Sequence, residues 1–187
     1  MADGLFYVDS RAPHQNADIA AVTIIATNKA LVPLGNLPVL GSNYWWVGKA
    51  VRIRAAGRWS TAATPGTQTF ALLWGTGADA NGTAIITSQV ITPIASLVNT
   101  FWMFDAVVRC RILGGSGVGA LIGMGTFKYL NSLTLTTALV EFPIPATAPA
   151  NVLVDLTASS VLSLQALAVT STTNTMQVHD FLFEALN

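Results

Sequence analysis

The sequence predicts an all-β protein: an antiparallel β-sandwich, jelly-roll-like, preceded by an extended N-terminal arm. Three observations predict it. Apolar and polar residues alternate with period two over long runs, the pattern of half-buried strands. Those runs are rich in threonine, valine and aromatics and are separated by Gly, Pro, Asn and Asp signals, as pleated surfaces and turns require. No window longer than a couple of turns combines 3.6-residue periodicity with caps, so helix is expected to be minor or absent.

The elements follow in chain order. Residues 1–20 form a polar, turn-rich leader (Asp9, Ser10, Arg11, Pro13, His14, Gln15, Asn16, Asp18) and are read as an arm lying outside a single sandwich domain of residues 21–187. Short strands are expected over 22–26 and 30–34. The aromatic triplet Tyr44-Trp45-Trp46 precedes the clearest strand, 51–59. There Val51, Ile53, Ala55, Gly57 and Trp59 fall on one face and Arg52, Arg54, Ala56 and Arg58 on the other. A second long alternation spans 102–112, with Trp102, Phe104, Ala106, Val108, Cys110 and Ile112 on one face and Asp105, Arg109 and Arg111 on the other. Between them Thr64-Pro65-Gly66-Thr67 has the Pro-Gly pair of a type II turn, and the two flanking runs are expected to pair as neighbours.

Further strands are expected over 69–74, 84–91, 118–129, 137–144, 152–156, 161–169 and 176–183, with an exposed glycine-rich loop at 75–82. The in-phase Trp59, Trp74 and Trp102 are assigned to the core. The glycines at 114, 115, 117, 119, 123 and 125 are not followed by Gly-Lys-Ser/Thr, which excludes a phosphate-binding P-loop. They fit a bulged or kinked strand approached closely by other backbone.

Composition narrows the function. The chain has 187 residues, 52% hydrophobic and 10% charged, with nine basic and nine acidic side chains. A typical soluble domain is about 25% charged, so much of this surface must be neutral or covered by something else. Zero net charge lacks the basic footprint of phosphate-backbone binding, and no nucleic acid partner is expected. Residues 19–34 are interrupted by Asn28, Lys29 and Pro33, and residues 118–127 by three glycines. Neither reaches the length of a membrane helix, so no membrane partner is expected. The first residues show no cationic start and no apolar run of signal-peptide length, which predicts synthesis in the cytoplasm.

Chemistry-bearing residues are sparse, and no enzyme, cofactor or metal is expected. His14 and His179 are the only histidines and Cys110 the only cysteine, too few for a zinc site without carboxylates. A Ser/His/Asp arrangement drawn through His179 and Asp180 is outweighed by an exposed or interface histidine. Cys110 is read as a small core hydrophobe. Arg52, Arg54 and Arg58 on one strand and Arg109 and Arg111 on another are a solvated face, residues concentrated at a subunit interface, where guanidinium suits carboxylates, or a site for an anion or glycan. The triplet Tyr44, Trp45 and Trp46 is read first as a plug closing the sandwich end and second as an aromatic contact for sugar.

The run from Gly41 to Arg58, the Thr64-Pro-Gly-Thr67 turn, Leu73-Trp-Gly75 and the Trp102 strand closing in Arg109-Cys-Arg111 together resemble head-associated virion proteins of tailed bacteriophages, the capsid decoration or cementing proteins. The resemblance covers about residues 25–125. It implies a β-sandwich that assembles as a symmetric homo-oligomer, typically a trimer, on the capsid surface of the virion, with the major capsid protein as partner. On that reading Phe6, Tyr7, Arg11, His14 and Gln15 of the arm would contact neighbouring capsid subunits. The alternative is a tail, baseplate or receptor-binding sandwich that keeps Tyr44, Trp45 and Trp46 exposed for a host glycan.

Overall fold

The alternation of residues 51–59 folds as read: Val51, Ile53, Ala55, Gly57 and Trp59 are buried, while Arg54 and Arg58 are exposed. The computed structural model describes residues 17–132, 139–168 and 173–186. Its strands are β1 (Val22–Ile24), β2 (Lys29–Ala30), β3 (Ala50–Ser60), β4 (Gln68–Gly75), β5 (Thr83–Thr87), β6 (Thr100–Ile112), β7 (Ala120–Leu130), β8 (Leu139–Ile144), β9 (Val152–Leu153), β10 (Val161–Ala168) and β11 (Asn174–Leu186). Among the described residues the helical content is one 3-10 turn, Leu34–Asn36, and no helix is long and apolar enough to cross a membrane.

The strands form two antiparallel sheets. One runs β1-β11-β3-β6-β7-β8, with β9 also paired to β7; the other runs β2-β10-β4-β5. This is the antiparallel two-sheet sandwich that the sequence predicts. Gly66 takes the positive φ, +63, that such a turn asks of it, but the segment does not close a hairpin: the strands directly flanking it, β3 and β4, lie in different sheets. Buried Asn174 ties the crossover down. Its Oδ1 accepts from the Ala62 N–H and its Nδ2 donates to the Pro65 carbonyl, each at 2.8 Å. β3 lies instead between β11 and β6, with Ile53 opposite Ala106 and Gly57 opposite Trp102, so the two clearest alternations pair with each other.

Several local boundaries differ from the sequence expectation, and three of them have a visible cause or consequence. The strand expected over 30–34 ends at Ala30, and Pro33, which has no N–H to donate, leads into the 3-10 turn. The strand expected over 84–91 stops at Thr87, because Ser88 turns inward and its Oγ accepts from the Phe70 N–H. Asp18 and Ile19 fall in the segment read as arm, yet they lie against β11. The Ile19 N–H donates to the Val178 carbonyl, and Ile19 belongs to the core.

The core sits between the sheets and is centred on rings. Phe70 of β4 stacks on Phe127 of β7 at 4.2 Å between centroids and meets Trp59 of β3 edge-on at 5.8 Å. Trp102, Phe142 and Tyr129 complete the cluster around Phe127. Trp59, Trp102, Phe104, Phe127 and Phe183 are all fully buried. Two glycines make room for this packing. A Cβ on Gly125 would sit 2.2 Å from the Asp105 carbonyl oxygen, and one on Gly123 would sit 2.6 Å from Ile86 Cγ2 of the facing sheet. The glycine run therefore brings strands close together, as expected.

Candidate interaction face

With the inner faces of both sheets committed to the core, the outward residues of β3, β6, β7 and β11 form one broad outer face. Cross-strand register places its groups. Arg52 lies opposite Val107 and Glu184, Arg54 opposite Asp105 and Leu182, and Arg58 opposite Phe101 and Gln177. Val107 is opposite Met124, and Lys128 is opposite Glu141.

Two of its basic groups are held by acids. Arg52 grips Asp105 with both arms of its fork, Nε to Oδ1 at 2.9 Å and Nη2 to Oδ2 at 2.5 Å, the bidentate geometry that strengthens such pairs. The hydrogen bond that Arg52 donates to Asp105, and then the charge of Asp105, raise the Arg52 pKa above its ordinary value. Lys128 pairs with Glu141 at 3.0 Å. Arg54, Arg58, Arg109 and Arg111 are exposed, and Arg109 donates to the Gly48 carbonyl at 3.0 Å. Of the five arginines singled out from the sequence, Arg52 is thus tied into the sheet and the other four present their charge outward. Large apolar side chains stand among them: Phe101 is 46% exposed and Met124 50%.

The aromatic triplet divides. Tyr44 and Trp45 are buried, with Trp45 edge-on to Trp74 at 5.9 Å, whereas Trp46 is 49% exposed. Lys49 governs the arrangement. Its Nζ donates to the Tyr44 carbonyl at 2.9 Å and lies 3.4 Å from the Tyr44 ring centroid and 4.1 Å from that of Trp46. A cation held against both rings accounts for a lysine that is only 7% exposed. Tyr44 and Trp45 plug the core, so the three rings do not make a common platform. Sequence reasoning passed over Lys49; a single lysine closing an aromatic run was the available signal.

The remaining candidates fall apart spatially or chemically. His179 is half-buried, and its Nδ1 is 2.7 Å from Oδ1 of Asp18 rather than from its neighbour Asp180; Asp18 was not linked to it on sequence. Cys110 is fully buried, and burial pushes its thiol pKa up, as fits a core hydrophobe. Among the described residues no group of three or more His, Cys, Asp or Glu could hold a metal ion. Between β5 and the chain that leads from β8 into β9 lies a groove of about 370 Å³, lined by residues such as Ile85, Thr87, Pro145, Ala148 and Val152. Phe6, Tyr7, Arg11, His14 and Gln15 lie outside the described residues. No protein-family model, curated protein or solved structure matches the chain.

Proposed function

We propose that the protein is a structural component of a phage virion, a decoration or cementing protein that binds the outer surface of the head as a symmetric homo-oligomer and stabilises it. The observation that supports this reading best is the outer face of the larger sheet, where four exposed arginines stand among half-exposed Phe101 and Met124. A rigid surface mixing outward guanidinium with large apolar groups is suited to protein contact. The resemblance to head-associated phage proteins supplies the setting: a trimer on the capsid, with the major capsid protein as partner. The action is associative and involves no chemical step. Several copies of one contact on a single oligomer turn weak individual contacts into firm attachment, because each later contact forms at high effective concentration.

The test is co-sedimentation of the purified protein with heads that lack it, followed by heating. Binding to the heads and a rise in their disruption temperature are expected; protein left in the supernatant at every concentration would remove the reading. The receptor-binding alternative rests on half-exposed Trp46. It requires glycan binding that Trp46→Ala abolishes, and the lysine seated against that ring counts against it.

A further inference from the structure

We propose that the outer face of the seven-stranded sheet docks an acidic protein surface that presents large apolar side chains between its carboxylates. The inference rests on the reading of the chain as an assembly protein and adds the face it uses and the chemistry of its partner. Charge complementarity carries it. Arg52 and Lys128 are neutralised in place by Asp105 and Glu141, whereas Arg54, Arg58, Arg109 and Arg111 form no ion pair among the described residues. The other acids here are Asp180 and Glu184 on β11 and Asp18, whose Oδ1 lies 2.7 Å from Nδ1 of His179. A chain of zero net charge has therefore gathered a positive excess on one sheet face. Two copies laid face to face would set these arginines against one another, a like-charge contact that disfavours self-pairing and favours an acidic partner. The contact between copies is then left to other surfaces.

Apolar groups on the same face define what else the partner must carry. Phe101 stands beside Arg58 on the neighbouring strand, and Met124 beside Val107. A cleft of about 250 Å³ lies here, lined by Ala56, Gly57, Arg58, Asn99, Phe101 and His179. It has room for one bulky side chain next to a guanidinium, so a carboxylate and an apolar group close together on the partner would be met at once. The pairing combines charge-assisted hydrogen bonds at the rim with apolar burial at the centre.

The test uses a fluorescein-labelled random copolymer of glutamate and tyrosine as the probe, duplex DNA as a second polyanion, and fluorescence anisotropy as the readout. Near-UV circular dichroism confirms that each variant is folded. Copolymer binding is expected to weaken about tenfold or more in Arg54→Glu/Arg58→Glu, to weaken in Phe101→Ser, to stay unchanged in Lys29→Ala on the other sheet, and to fall with added salt. The proposal is overturned if the wild-type chain does not bind the copolymer, if the double reversal binds as wild type, or if duplex DNA binds as tightly and loses as much. It is also overturned if the wild-type chain self-associates in sedimentation equilibrium and the same reversal abolishes this, since a second copy would then cover the face. A chain that passes these tests but does not sediment with bare heads keeps the inference and loses the virion assignment.

Discussion

Replacing Phe127 by alanine tests whether one shared core holds the two sheets together. Phe127 is fully buried on β7 and touches rings from both sheets: Phe70 at 4.2 Å, Phe142 at 5.6 Å, Tyr129 at 6.0 Å and Trp102 at 6.1 Å. A phenylalanine of this kind removes about 200 Å² from water, which at about 25 cal/mol/Å² is about 5 kcal/mol. Alanine keeps a part of that and the cavity adds a term of its own, so the expected loss is about 3–5 kcal/mol. Phe101 is the internal comparison. It projects from the adjacent strand β6 onto the outer face and is 46% exposed, so Phe101→Ala is expected to cost less than about 1 kcal/mol. Urea denaturation followed by tryptophan fluorescence measures both. A Phe127→Ala loss below about 1 kcal/mol, or equal losses in the two variants, would refute the assignment of faces and with it the shared core.

Three further outcomes follow from the same geometry. Gly125→Ala places a Cβ 2.2 Å from the Asp105 carbonyl and 2.6 Å from Ala106 Cα, and a destabilisation of about 1–3 kcal/mol is expected from thermal melts; a neutral substitution would mean that β6 and β7 are not this close. Burial pushes the Asp79 carboxyl up, but hydrogen bonds from Lys29 and the Ala30 N–H outweigh it, and its pKa falls below the ordinary value. A depressed carboxylate contributes stability above its unfolded pKa of about 3.9 and loses it as pH falls through the folded value. The stability gap between wild type and Asp79→Asn, under about 1 kcal/mol for so exposed a pair, is therefore expected to close on acidification; a gap that widens contradicts the sign. Cys110, buried with its thiol pKa raised, is expected to resist iodoacetamide until urea unfolds the chain, and rapid labelling of the native protein would show that β6 does not face the core there.

Much of the fold was legible because period-two alternation reports burial directly. Wherever one face was apolar and the other charged, as in β3 and β6, both the strand and its inward residues could be read. What alternation does not encode is which strand lies beside which. The Pro-Gly turn has the local chemistry of a hairpin, yet Asn174, more than a hundred residues away in sequence, converts it into a crossover between sheets. The face was legible in the same partial way. The arginines were found by residue type, but only the register shows that Arg52 reaches Asp105 and spends its charge within the sheet. Lys49 and the Asp18–His179 contact join residues whose partners depend on tertiary placement, so their role emerges from the structure alone.

The central claim is that this chain works by assembly, and its mass in solution is the most direct test. Light scattering on a sizing column, across a range of concentrations, is predicted to give a single species of three times the 19.6 kDa chain mass. A monodisperse species at 19.6 kDa at all concentrations would contradict it, because the firm attachment proposed here depends on several copies of one contact carried by a single oligomer.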